Sequence, residues 1–303
     1  KVDMKGMNGP NIQIMTMVEK SFFHICTDGT KIDWLFKDDD DFIAGINRIG
    51  ICVHITGTHL YSFVLMDNHV HFLIFGTLPE CKHFINKYKQ LTGRWIKQKY
   101  NLNGFVNKLP AQIIRLRSEE HILNVASYID RNITRTSYPY LSSEYKWGSA
   151  RYLFKDKHSV GGTKLSEYSK REQRVILNSH IELPLSWRVL SDGMLNPIDF
   201  VFYDKLEKLF KTPTRYNYFL AKKVEGDIDQ ELQNGRQTYI IDKELRPIVL
   251  NLSENIFGIS DIRLLNIQNR LTLARKLRYE YYSTPKQISR MLGLPLDFLK
   301  GYI

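Results

Sequence analysis

The sequence predicts an α+β protein, with strands and helices alternating in its first half and a mostly helical second half. Three observations carry this expectation. Aromatic and β-branched runs at 21–27, 60–66 and 69–75 have the length and composition of strands. Amphipathic stretches at 38–49, 80–100 and 118–132 space their apolar residues as helices do. Further on, Pro- and Gly-punctuated helical patterns replace the strand pattern.

The run 21–27, Ser-Phe-Phe-His-Ile-Cys-Thr, is a first strand. The stretch 38–49 opens with acids, as a helix N-terminus favours, and carries Phe42, Ile46 and Ile49 at helical spacing. Gly45 works against that helix. The runs 60–66 and 69–75 are joined by Asp67-Asn68, residues that tolerate positive φ, so a two-residue hairpin loop is expected. The 80–100 helix has an apolar stripe of Phe84, Tyr88, Leu91 and Trp95. Its other faces carry Lys82, Lys87, Lys89, Arg94, Lys97 and Lys99. Residues 112–116 read as another strand, and 118–132 as a helix with Ser118 as cap and Glu119 and Glu120 in its first turn.

The polar, Gly-containing stretch 155–164 reads as the start of a linker. The expected domains are therefore 1–155, a linker at 156–182, and a helical region at 183–303. In the last, Asn196-Pro197 opens a helix over 198–211 that Thr212-Pro213 closes. A helical stretch at 260–282 carries Arg263, Arg270, Arg275, Lys276 and Arg278. From Thr284 to Lys300 a short helix, Gly293 and a second short helix give a helix-turn-helix outline.

Charge narrows the partners. Lys and Arg number 43 against 32 Asp and Glu, a net +11, which favours a polyanion, nucleic acid first. Cys26, Cys52 and Cys81 form no Cys-x-x-Cys pair and no disulfide framework, which fits a reducing cytoplasm. No apolar run approaches transmembrane length, so no membrane partner is expected. The opening Lys-Val-Asp-Met-Lys-Gly-Met lacks the apolar core of a signal peptide.

Two motifs carry chemistry. His69-Val70-His71 places two imidazoles at i and i+2 of a strand, on one face, where both can reach one metal ion. The plainer alternative is two histidines that alternate by chance. A structural zinc site needs four ligands, and the cysteines are badly spaced for it. Two histidines and one oxygen ligand leave positions open, which suits a catalytic divalent cation that also touches substrate. In the second motif, Ser127-Tyr-Ile-Asp-Arg-Asn132, Tyr128 and Asn132 share a helix face at i and i+4. A tyrosine hydroxyl can attack a phosphodiester and hold the cleaved strand, and an Asn carbonyl can ligate a metal. The plainer alternative is a core tyrosine, one of 17.

Together these residues resemble the single-tyrosine transposases of the HUH superfamily, in particular the REP-associated tyrosine transposases. The segments that carry the likeness are Val64-Leu-Met-Asp-Asn-His-Val-His-Phe-Leu-Ile74, Tyr128-Ile-Asp-Arg-Asn132 and Trp147-Gly-Ser-Ala-Arg-Tyr152, within about residues 15–155. Asp67 stands where the family often has Pro, and Ile133 follows Asn132 where Pro is common. The resemblance implies a central antiparallel sheet flanked by helices, on the ferredoxin or RNA-recognition plan. It implies Mg²⁺ or Mn²⁺ held by His69, His71 and Asn132, with Tyr128 as the nucleophile that forms a 5′-phosphotyrosine link. It implies a single-stranded DNA substrate with a hairpin beside the cut, and a homodimer or monomer in which Tyr128 acts in trans or in cis. It also implies a bacterial-type, nucleoid-associated protein of the cytoplasm.

The C-terminal segment 245–303 resembles the duplex-binding domain of the replication initiator DnaA through Ile256-Phe-Gly-Ile-Ser-Asp-Ile, Leu273-Ala-Arg-Lys-Leu-Arg-Tyr279 and the Thr284–Gly293 stretch. It departs at Pro295-Leu-Asp-Phe-Leu, where polar recognition residues are expected. Duplex DNA is the partner this likeness implies. The residues expected to contact DNA are Lys82, Lys87, Arg94 and Lys97, and in the C-terminal part Arg275, Arg278, Lys286 and Arg290. The functional expectation is a metal-dependent single-stranded DNA endonuclease and strand transferase, a transposase. The alternative is a domesticated, transposase-like DNA-binding regulator with little turnover.

Overall fold

The structure is a computed structural model that describes residues 19–135, 141–157, 159–222, 228, 242–279, 281, 283 and 285–302. Residues 280, 282 and 284, at the edges of two expected helical segments, lie outside the described residues. The chain divides into two compact units, one of residues 20–228 and one containing 229–303.

The first unit begins with β1 (Ser21–Thr27), α1 (Asp39–Thr56), β2 (His59–Leu65), β3 (Val70–Gly76), α2 (Leu78–Tyr100), β4 (Ala111–Arg115) and α3 (Glu119–Arg131). The strands form one sheet in the order β2-β3-β1-β4, and every neighbouring pair is antiparallel. Strand, helix, two strands, helix, strand in that spatial order is the ferredoxin-like plan. The expected α+β class is what the structure has.

Local chemistry starts and stops these elements. Asp38 caps α1 by accepting from Asp41 N, three acids fill the first turn, and Gly57 ends it at φ 64°. The helix runs seven residues past the expected Ile49, because Ile51, Cys52 and Val53 continue its buried face. Gly45 is tolerated for a packing reason. A Cβ there would sit 2.7 Å from Phe36 and 2.9 Å from Leu65, so glycine lets the helix lie close to the sheet. In α2, Thr77 and Glu80 form a capping box, and Asn101 closes the helix in the left-handed region.

The β2–β3 connection is the expected tight turn. Met66 N donates to His69 O at 2.8 Å across Asp67-Asn68. Neither loop residue has positive φ, contrary to the turn type expected. The loop is instead fixed from outside, because Asp67 O accepts from Leu35 N and Phe36 N.

Strand alternation gives the sheet two chemically different faces. One presents Ile25, Phe63, Phe72 and Ile74, all buried, to the α2 side, where Phe72 meets Phe84 and Tyr88 at ring separations of 5.2 Å. The other presents Ser62, His71, His24 and Cys26 to α3. The outer edge of β2 is covered as well. Leu65 N donates to Trp147 O, Phe63 N to Ser149 Oγ, and Phe202 N to Leu60 O. The Trp147–Tyr152 motif therefore completes the sheet edge, which would otherwise be open to further pairing.

Two expectations need correction. The segment 156–182 is not a linker. Gly161-Gly162 leads into a short strand, β5 (Thr163–Lys164), which pairs with β6 (Arg188–Val189), and α4 (Lys170–Leu177) follows. Asn47 Nδ2 on α1 donates to Ile176 O and Gly193 O, which ties this region to the first unit. The glycines serve a turn, and the division of the chain falls after 228 instead of at 155. The second correction concerns 198–211. Val201 pairs with Leu60, so the helix is only α5 (Tyr203–Phe210). Thr212-Pro213 opens a further helix, α6 (Pro213–Ala221), as N-cap and first-turn proline.

The second unit holds α7 (Asp242–Phe257), α8 (Ile267–Tyr279), α9 (Pro285–Leu292) and α10 (Leu296–Lys300). Gly293, at φ 63°, turns the chain between α9 and α10 as expected. No described helix is long and apolar enough to cross a membrane.

Candidate functional site

The site lies where β3, β1 and α3 meet. His71, on β3, is 3% exposed, and its ring centre is 5.0 Å from that of His69 and 5.6 Å from that of Tyr128. The histidine pair and the tyrosine thus come together within one chain. Asn132 follows one turn after Tyr128, and its Nδ2 donates back to Tyr128 O at 3.2 Å. That leaves Asn132 Oδ1 as the oxygen for a ligand.

A chain of hydrogen bonds fixes His69. Asn68 Nδ2 donates to Gly29 O at 3.0 Å, so Asn68 Oδ1 must be the atom 2.7 Å from His69 Nδ1. A carbonyl oxygen only accepts, so Nδ1 carries the proton and Nε2 keeps its lone pair. Gly29 allows this packing: a Cβ there would lie 2.9 Å from both Asn68 Oδ1 and His69 Nδ1.

Beside this pair stands a residue that the sequence reading missed. His24, on β1, is 1% exposed and bonds through Nε2 to His71 Nδ1 at 2.9 Å. Burial, reinforced by His121, pushes His24 down to about 3, so its ring is neutral. The bond orients the His71 ring, and when His71 Nδ1 is the donor its Nε2 keeps a lone pair for a ligand. The signal was present in the sequence. His24-Ile-Cys26 is a same-face pair on a strand, as His69-Val-His71 is.

His24, Cys26 and His71 also form a group able to hold a metal ion, with one ligand atom of each within 4.8 Å of the others. All three are buried, and burial pushes the Cys26 thiol up to about 12. Without an ion the thiol is protonated, and the group acts as a hydrogen-bonded support for His71. A soft cation would take it over by displacing that proton.

The rings of His69 and His71 are spaced as two ligands of one divalent cation would be. At metal–nitrogen distances of about 2.1 Å, two imidazoles meeting at one ion at about 100° set their ring centres about 5 Å apart. The observed separation, with the rings edge to face, has that value.

The helix that carries Tyr128 is anchored by Asp130 and Arg131. Asp130 accepts from Ser62 Oγ at 3.0 Å and from Tyr216 OH at 2.8 Å. Burial raises its carboxyl to about 7, against the opposing pull of those bonds and of Arg131. Arg131 Nη1 donates to the carbonyls of Phe219, Leu220 and Lys222 at the end of α6. Tyr128 itself is 3% exposed.

The expected DNA-contact residues are not gathered at this site. Lys82, Lys87, Arg94 and Lys97 lie on α2, which covers the opposite face of the sheet. In the second unit, Arg275 lies over the Tyr302 ring at 4.9 Å, and Arg278 Nη1 bonds to Ser283 O. Arg290 pairs with Asp242 at 2.9 Å, and Lys286 is exposed. No family model, curated protein or solved structure matches this chain.

Proposed function

We propose that the protein is a metal-dependent, single-stranded DNA endonuclease and strand transferase of the single-tyrosine transposase type. The observation that carries this reading is the convergence of His69, His71 and Tyr128 on one side of the sheet, with Asn132 one turn further along the same helix. Histidines on a strand with an unused Asn oxygen suit Mg²⁺ or Mn²⁺, and the two nitrogen donors favour Mn²⁺. A bound cation of this kind supplies polarisation of the scissile phosphate and neutralises charge on its oxygens.

The protein's own groups do the rest. Tyr128 Oη attacks phosphorus and the P–O3′ bond breaks, leaving a 5′-phosphotyrosine and a free 3′-hydroxyl. The phenol loses one proton and the departing 3′-oxygen gains one, so the step is balanced without a co-reactant. Attack by another 3′-hydroxyl reverses the chemistry and joins the strands. His24 orients His71, and the Asp130 and Arg131 anchors hold the helix over the sheet. The short ring distances within a single chain support action in cis. The net charge of +11 supports a DNA partner, and the second unit's helix-turn-helix outline supports a duplex-binding role.

One observation favours the regulator reading: Tyr128 is 3% exposed, so its hydroxyl is not open to a phosphate in this structure. A single experiment separates the two. The protein is incubated with Mg²⁺ or Mn²⁺ and labelled single-stranded genomic fragments, then run on a denaturing gel. The endonuclease reading expects a covalent adduct that is lost in Tyr128→Phe and in His69→Ala. An adduct that survives Tyr128→Phe, or no adduct with either metal, defeats it.

A further inference from the structure

On the side of the sheet away from Tyr128, α1, α2 and α4 enclose a cavity of about 630 Å³. Four cations line it: Arg48, Lys87, Arg94 and Arg174. Among the described residues, none of the four has a carboxylate within 4 Å. The two acids at its rim are engaged elsewhere, Asp192 with Lys146 at 3.0 Å and Asp40 with Lys99 at 3.9 Å.

Arg48 is the decisive group. Its residue is 5% exposed, and its Nε and Nη2 find no hydrogen-bond partner of good geometry. Tyr88 and Thr92 lie close enough to form a polar cluster with it, yet the Tyr88 hydroxyl and Thr92 Oγ1 are equally unsatisfied. The carboxylate whose field reaches Arg48 is Asp41, and it is already bonded by Trp95 Nε1, Tyr100 OH, Lys99 Nζ and Lys37 N. A buried guanidinium without an anion is expensive to keep. An anionic ligand would offer it a partner and offset part of the charge of the other three cations.

The walls are preformed. Asn47 bonds Ile176 O, Gly193 O and Leu195 N, and Asn178 Nδ2 bonds Gln98 Oε1. Beside the cations the cavity presents Ile51, Leu91 and the Trp95 ring. Its volume suits an organic molecule better than a bare anion.

We propose that this cavity binds a phosphorylated small molecule of mononucleotide size, with Arg48, Arg94 and Arg174 on the phosphate and the Trp95 side on the apolar part. The site is independent of the tyrosine chemistry. The test is calorimetric titration of the full chain with the four deoxynucleoside 5′-monophosphates, the matching nucleosides, inorganic phosphate, and a single-stranded oligonucleotide with and without a 5′-phosphate. At least one monophosphate should bind ten-fold or more tighter than its nucleoside and than inorganic phosphate. The double variant Arg94→Glu, Arg174→Glu should lose ten-fold or more of that affinity with an unchanged melting temperature. Arg48→Met should lose binding and melt no lower than the wild type, because it removes a buried charge that lacks a partner. Preference for the oligonucleotide only when 5′-phosphorylated would assign the same phosphate site to a strand end. Equal binding of nucleoside and monophosphate, no binding of any probe, or full affinity in the double variant overturns the proposal.

Discussion

Asn68 offers the sharpest test of the proposed metal site, because it touches His69 without being one of its ligands. Asn68→Ala removes the 2.7 Å bond to His69 Nδ1 and the 3.0 Å bond to Gly29 O together. The imidazole then loses what fixes its tautomer and its orientation. Loss of such a supporting partner typically costs 10- to 100-fold in metal affinity, or about 1.4 to 2.7 kcal/mol. Asn68→Asp keeps an oxygen on Nδ1 and makes the ring more basic, so it should retain affinity. Gly29→Ala should act like Asn68→Ala, since its Cβ would press on both bonded atoms from 2.9 Å. Calorimetric titration with Mn²⁺ in the absence of DNA reads these effects without any need for turnover. An Asn68→Ala protein whose Kd stays within about two-fold of the wild type would refute the tautomer argument. Equal losses in Asn68→Ala and Asn68→Asp would refute it as well.

Asp130 should make stability depend on pH. Its carboxyl titrates at about 7 when folded, against about 3.9 unfolded, so the native state binds the extra proton between those values. Stability should be greatest below about pH 4, fall as pH rises to about 7, and level off above, by up to roughly 4 kcal/mol. Asp130→Asn should flatten that profile in urea titrations at pH 5 and 8, and an unchanged slope counts against the assignment. Phe72→Ala should cost about 3 to 5 kcal/mol, read by the same titration, because the ring is fully buried against Phe84 and Tyr88. The Cys26 thiol, pushed up to about 12, should resist alkylation at pH 8 in the native protein and react once it is unfolded. Rapid native labelling at Cys26 would contradict its burial.

The sheet was legible in the sequence because its strands are short, apolar and bounded by turn residues. The helix carrying Tyr128 was legible from Ser118 and the two acids that follow it. Three things were not. The tolerance of Gly45 inside α1 is one, because it depends on Phe36 and Leu65, neighbours that no local helical pattern reveals. The supposed linker was misread because Gly-rich polar composition is the same in a structured turn and a tether. The pairing of His24 with His71 was hidden because the His24-Ile-Cys26 alternation marks a shared face but not a partner 47 residues away. Local chemistry thus marks the ends of elements, while the completion of the site comes from register between strands.

The anchoring of α3 has a consequence for motion. Asp130 ties it to β2 and α6, and Arg131 ties it again to the carbonyls that end α6. Buried bonds to charged groups of this kind are worth about 1.5 to 3 kcal/mol each. Freeing the helix, whether to swing toward a strand or to be exchanged with a second copy, would break several at once and leave Asp130 and Arg131 without these partners. Tyr128 is therefore held in place by the two residues that anchor its helix. Its backbone amides should exchange with solvent only when the whole unit unfolds.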